Sequence, residues 1–161
     1  MFESYSTRGV QVIFLARLEA GARGAEMLDL DDLFAGLIIE DQNKIPDALA
    51  RLGRDGELMV LPKHQPFLPP DAATNVLESI RQLLPRSQFV PDSADMPISS
   101  GLAETLAAAT DLGKTLQTKE VTPLHLLAVL MRGSHKGVKA LREAGITEEE
   151  IVKVIRKEDH G

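Results

Sequence analysis

The residues of this chain that could do chemistry are four histidines, two clusters of acids and one Gly-Lys-Thr triplet. The histidines are His64, His125, His135 and His160, and no two stand in an HxxxH or HExxH spacing. A helical pair of imidazoles for zinc is therefore not offered. His125 lies among leucines in TPLHLLAVLM, where a packed, hydrogen-bonded imidazole is the simpler reading. Asp29, Asp31 and Asp32 could serve acid–base work or hold a divalent cation. They also stand where a helix would begin, and there carboxylates meet free amides and the positive end of the dipole. Glu148, Glu149 and Glu150 have the same explanation. Gly113-Lys114-Thr115 looks like the end of a phosphate loop, which also needs a glycine five residues earlier and a preceding strand. Ala108 occupies that position, inside a helical pattern. The chain has no cysteine and no GxSxG, so it offers neither a thiolate nor an elbow-mounted serine nucleophile.

Composition narrows the function classes further. The chain has 161 residues, 43% apolar and 26% charged, which suits an ordered protein with its own core. A net charge of −6, no Trp and a single Tyr argue against a dedicated nucleic-acid binder. No apolar run is long enough to cross a bilayer, and MFESYSTRG lacks the pattern of a secretory signal. These features predict a cytoplasmic protein that does not engage membranes.

The elements that must carry these residues read as helices. STRGVQVIFLARLEAGAR (6–23) opens on a hydroxyl pair suited to capping, and its apolar residues run nearly all the way round. DLDDLFAGLII (29–39) and IPDALARLG (45–53) follow, the latter with proline at a first helical position and glycine as the stop. RDGELMVLPKHQPFLPP (54–70) is proline-rich and extended, with ELMVL as a short strand. Its PFLPP either braces a loop or offers a proline-rich ligand to another domain. Asp71 is expected to cap a helix through Leu84, and PRSQFVPDSADMPI (85–98) forms a second connection. Beyond it, Ser99 or Ser100, Thr122-Pro123 and Thr147 mark further helix starts.

The two ends of the chain repeat this order. DLDDLFAGL (29–37) lies over TPLHLLAVL (122–130), at an offset that places Ser6 on Ser99, Ile13 on Leu106 and Ala16 on Ala109. With one gap, ALARLG (48–53) falls on ALREAG (140–145), each ending in glycine. The expected fold is all-α: eight helices in two pseudo-twofold-related four-helix repeats packed as one domain. Repeat one spans about 6–84 with the insert at 54–70, the linker spans 85–98, and repeat two spans about 99–158.

This doubled pattern resembles the Clp N-terminal repeat, found in tandem at the front of the Clp protein-unfolding ATPases. VTPLHLLAVLM with VKALREAG carries the second copy; STRGVQVIFLARLEAGARG, LDLDDLFAGLI and ALARLG carry the first. The resemblance implies a protein- or peptide-binding module with no catalytic residue and no cofactor or metal. Its partners would be clients, adaptors or a Clp ATPase, in ATP-dependent proteolysis or disaggregation. No ATPase module follows the repeats, which implies a stand-alone protein or the front of a longer one. The family's usual histidine is present as His125 but is Asp32 in the first copy. The acidic position before it is Asp31 in the first copy and Leu124 in the second. In some members those two acids recognise phosphorylated arginine, and here one remains. Asp31, Asp32, Leu124 and His125 are accordingly the candidate binding residues, an acidic lip beside an apolar one where the second helices approach. The other reading is a small helical ligand-binding protein or enzyme with a site between the repeats.

Overall fold

The computed structural model describes residues 2–54, 56, 61–83 and 95–160. Among them are eight helices and no strand. In chain order they are α1 (Thr7–Ala22), α2 (Leu30–Asp41), α3 (Ile45–Arg51), α4 (Pro70–Leu83), α5 (Ser100–Leu116), α6 (Pro123–Leu130), α7 (Lys136–Glu143) and α8 (Glu148–His160). The hydroxyl caps act as their positions predict: Ser6 Oγ accepts from the Gly9 amide at 3.0 Å and Ser99 Oγ from that of Leu102 at 3.1 Å. Gly53 and Gly145, just beyond α3 and α7, have φ of +71° and +92°. Those values favour a residue without Cβ, which explains the two matching stops.

α1 packs along α2, α5 along α6, and α8 on α6, while α4 bridges α2 and α7. The equivalent residues Leu33 and Leu126 are both fully buried in one continuous core with Phe34, Leu102, Leu141 and Ile151. Burying a side chain of this size contributes about 1.5–3 kcal/mol. α1 and α2 approach so closely that a Cβ on Gly36 would stand 2.5 Å from the Val12 carbonyl oxygen. In contrast to the all-round apolar reading of α1, Val10 is exposed and Ile13 and Phe14 are half-buried.

The pseudo-twofold is visible in two isolated bridge pairs. Tyr5 pairs with Val121, and Leu28 pairs with Ile98. The repeat offset turns one pair into the other. Ser6 N–H donates to Val121 O at 2.9 Å and Val121 N–H to Ser4 O at 2.8 Å. Their equivalents are Ser99 N–H to Leu28 O and Leu28 N–H to Pro97 O, both 2.8 Å. Each repeat's lead-in segment is thus held by the other repeat's α1–α2 or α5–α6 link.

Two details differ from expectation. α4 begins at Pro70, so Asp71 lies in its first turn and does not cap it. The second half of the proline-rich insert is strapped to the end of α2. Asp41 carboxylate oxygens accept from the Phe67 and Leu68 amides at 2.9 and 3.0 Å, and the Asn43 side chain exchanges two hydrogen bonds with the His64 backbone. The expected ELMVL strand, apart from Leu61, and residues 85–94 of the connection lie outside the described residues.

Candidate functional site

The four candidate residues sit at the first turns of α2 and α6, and two of them do the same structural job. Asp32 and His125 are each the third residue of their helix and each only 1% exposed. Asp32 Oδ2 accepts from the Asp29 amide at 3.1 Å, and His125 Nδ1 accepts from the Thr122 amide at 3.0 Å. Both side chains reach back to satisfy an otherwise free N–H at the helix start. Because Nδ1 is an acceptor, His125 carries its proton on Nε2, which donates to Thr118 Oγ1 at 2.9 Å. Burial pushes the His125 pKa down from its usual 6.5, and Asp159 opposes the shift only in part. The imidazole is therefore neutral and internal.

Asp32 solves the same problem with a charge. Arg23 clasps its carboxylate at 3.0 and 3.2 Å. Burial pushes the Asp32 carboxyl above its usual range, opposed by Arg23 and by the Asp29 amide. Leu124 is buried as well, in the shared core. Of the four, Asp31 alone presents a substantial surface, with 30% of its side chain exposed.

Asp31 stands where α2 meets the start of α7. The His135 ring stacks on Phe34 with centroids 4.7 Å apart and 23° between planes. Its Nδ1 accepts from the Gly137 amide at 2.9 Å, capping α7, so its Nε2–H donates to Asp31 Oδ1. That hydrogen bond, ahead of the opposing effect of burial, holds the Asp31 carboxyl below its usual range. Gly137 lets the ring lie flat there, since a Cβ would fall 3.1 Å from Phe34. The pair closes one end of a groove of about 340 Å³ between α4 and α7. Val76, Ile80 and Ala140 give it an apolar floor, with Asn75, Ser79 and Lys136 on its edges. This volume falls within the range of ordinary ligand pockets.

The structure thus brings Asp31 together with His135, not with Leu124 or His125. His135 lay outside the sequence candidates. The available signal was its place before Lys136-Gly137 as a helix cap, but its partner is 104 positions away. Among the described residues no group of three or more His, Asp or Glu could hold a metal ion. No helix among them is long and apolar enough to cross a membrane.

No protein-family model matches this sequence, and no curated protein is similar to it at a significant level. Solved structures are similar over nearly the whole chain. The N-terminal domain of the caseinolytic-protease-associated chaperone ClpD from Arabidopsis thaliana matches with a TM-score of 0.61 and 19% identity, covering 98% of this chain and 99% of that one. A chain from a malarial protein secretion system matches with a TM-score of 0.64 and 17% identity, covering 96% and 94%.

Proposed function

We propose that this chain, which has the fold of the Clp N-terminal domain, is a protein- or peptide-binding module that presents clients or adaptors to an ATP-driven unfoldase. The observation that carries the reading is the α4–α7 groove, apolar in its floor and edged by the half-buried carboxylate of Asp31. Such a site takes an aliphatic or aromatic side chain with a basic neighbour. The acidic lip is Asp31 alone; Asp32, Leu124 and His125 are buried in the first turns of α2 and α6. An exposed carboxylate–guanidinium contact adds only about 0–1 kcal/mol, so apolar burial supplies most of the affinity. Binding is micromolar or weaker and modestly sensitive to salt. The module works in the cytoplasm, in ATP-dependent proteolysis or disaggregation, and performs no catalysis itself.

The test is titration of a permanently unfolded client, and of basic–hydrophobic peptides, by fluorescence anisotropy. Ala140→Glu, which puts a charge into the groove, is expected to abolish saturable binding. Asp31→Asn keeps an acceptor for His135 and should weaken basic peptides by no more than about fivefold. Wild-type affinity in both variants would remove the groove from the reading. A second reading, a small-molecule site between the repeats, is favoured by the same groove, since its walls come one from each half. Saturable binding of a small apolar metabolite with no peptide affinity would decide for it.

A further inference from the structure

The groove between α4 and α7 is blocked at the end where Asp31 stands. Behind Asp31 lie α2 and the fully buried ring of Phe34, on which His135 stacks. A peptide laid along the apolar floor has no way onward past this end, so the residue that meets Asp31 is a terminal one. Asp31 Oδ1 accepts from His135 Nε2–H, which orients the carboxylate. Oδ2 accepts no hydrogen bond from any described residue, and 30% of the side chain is open to solvent. The same bond from His135 holds the carboxyl below its usual range, so it is ionised at neutral pH. Arg23, whose charge also acts on Asp31, is held against Asp32 at 3.0 Å and leaves Oδ2 uncovered.

The groove is also short. Its volume of about 340 Å³ stands near the bottom of the range for ligand pockets and suits a residue or two, not a long extended segment. The positive charge and the apolar group must then come from one residue. A first residue meets that condition, because its α-ammonium and its side chain share one carbon. We propose that the groove binds the free N-terminus of a protein whose first residue is large and apolar, with the α-ammonium on Asp31 Oδ2 and the side chain on Val76, Ile80 and Ala140. Lys136, exposed on the edge, is the donor for the first carbonyl oxygen. A C-terminal carboxylate would meet Asp31 as a like charge. The proposal rests on the peptide-binding reading and narrows it: the basic group beside the apolar one is the client's own amino end. Charge-assisted hydrogen bonds are about twice as strong as neutral ones, so the ammonium gives selectivity while the floor gives affinity.

The full chain is titrated with one short peptide, labelled at its C-terminal end, in three forms that differ only at the start. The first begins with leucine and has a free amino end. The second begins with an isocaproyl cap, which is leucyl without its α-amine, and the third with acetyl-leucine. The leucyl peptide should bind about tenfold tighter than the isocaproyl one, and the acetylated peptide should be weaker still because the end of the groove is blocked. In Asp31→Asn the gap between the first two should fall to about twofold. Equal affinities for the leucyl and isocaproyl peptides, both lost in Ala140→Glu, overturn the amino-end proposal and leave the groove reading standing. No saturable binding by any of the three removes the groove reading and this proposal with it. Free leucine that competes as well as the leucyl peptide assigns the site to a free amino acid and likewise overturns the proposal.

Discussion

Replacing His125 with aspartate should destabilise the fold more than replacing it with asparagine, even though aspartate does the equivalent job in the other repeat. Either substitute can accept the Thr122 amide, as His125 Nδ1 does at 3.0 Å. Asparagine loses the Nε2 bond to Thr118 and some packing, a cost of about 1–2 kcal/mol. Aspartate adds a buried charge, and the repeat offset puts Leu116, not an arginine, in the place of Arg23. Asp159, already near enough to act on His125, adds a like charge. An uncompensated buried charge costs about 3–5 kcal/mol. The losses shared by the two variants cancel, so the gap between them at pH 7 should be about 3–4 kcal/mol, equivalent to raising the new carboxyl by about two to three pKa units. It should narrow to about half by pH 5, as that carboxyl takes up a proton in the folded chain, and close only near pH 4, where the unfolded chain is protonated too. Urea denaturation at these pH values, extrapolated to water, measures both quantities. Equal stabilities at pH 7, or a gap that persists unchanged at pH 5, would refute the account of His125 as a neutral cap in a site with no counter-charge.

Two further outcomes follow from the same geometry. The wild-type chain should lose stability as pH falls through 6.5, because His125 in the unfolded chain then binds a proton that the folded chain, with its lowered pKa, does not. The loss should level off below the folded pKa, and His125→Asn should lack that component when urea midpoints are followed against pH. Gly36→Ala should cost about 1–3 kcal/mol in the same assay, since the added carbon meets backbone atoms of α1 that no side-chain rotation can move aside. A neutral substitution there would show that α1 and α2 separate freely.

The sequence announced the helices well because their punctuation is local. Ser6, Ser99, Pro46, Pro123, Gly53 and Gly145 each act within a turn of where they stand, and the repeat made each signal count twice. The site was harder to read for a physical reason. Asp31 and Asp32 are adjacent and chemically alike, yet one faces solvent and the other is sealed against Arg23. Which of the two turns inward depends on how α2 lies on the core. His135 belongs to a distant turn, and its stacking on Phe34 requires the whole second repeat in place. Repeat symmetry set Asp31 and Asp32 beside Leu124 and His125 as counterparts; the groove that Asp31 borders lies between α4 and α7.

The exchanged bridges impose a timetable on synthesis. As the chain emerges, α1 and α2 can form early, but Leu28 has no backbone partner until Pro97 to Ser99 have been made. The segment from Ser4 to Ser6 waits longer still, until Val121 exists. A nascent first half therefore carries unsatisfied amides and an uncovered apolar face for most of its time on the ribosome. Closing so distant a pair late is entropically slow. Once closed, the amides of Ser6, Leu28, Ser99 and Val121 tie each half's lead-in to the other half.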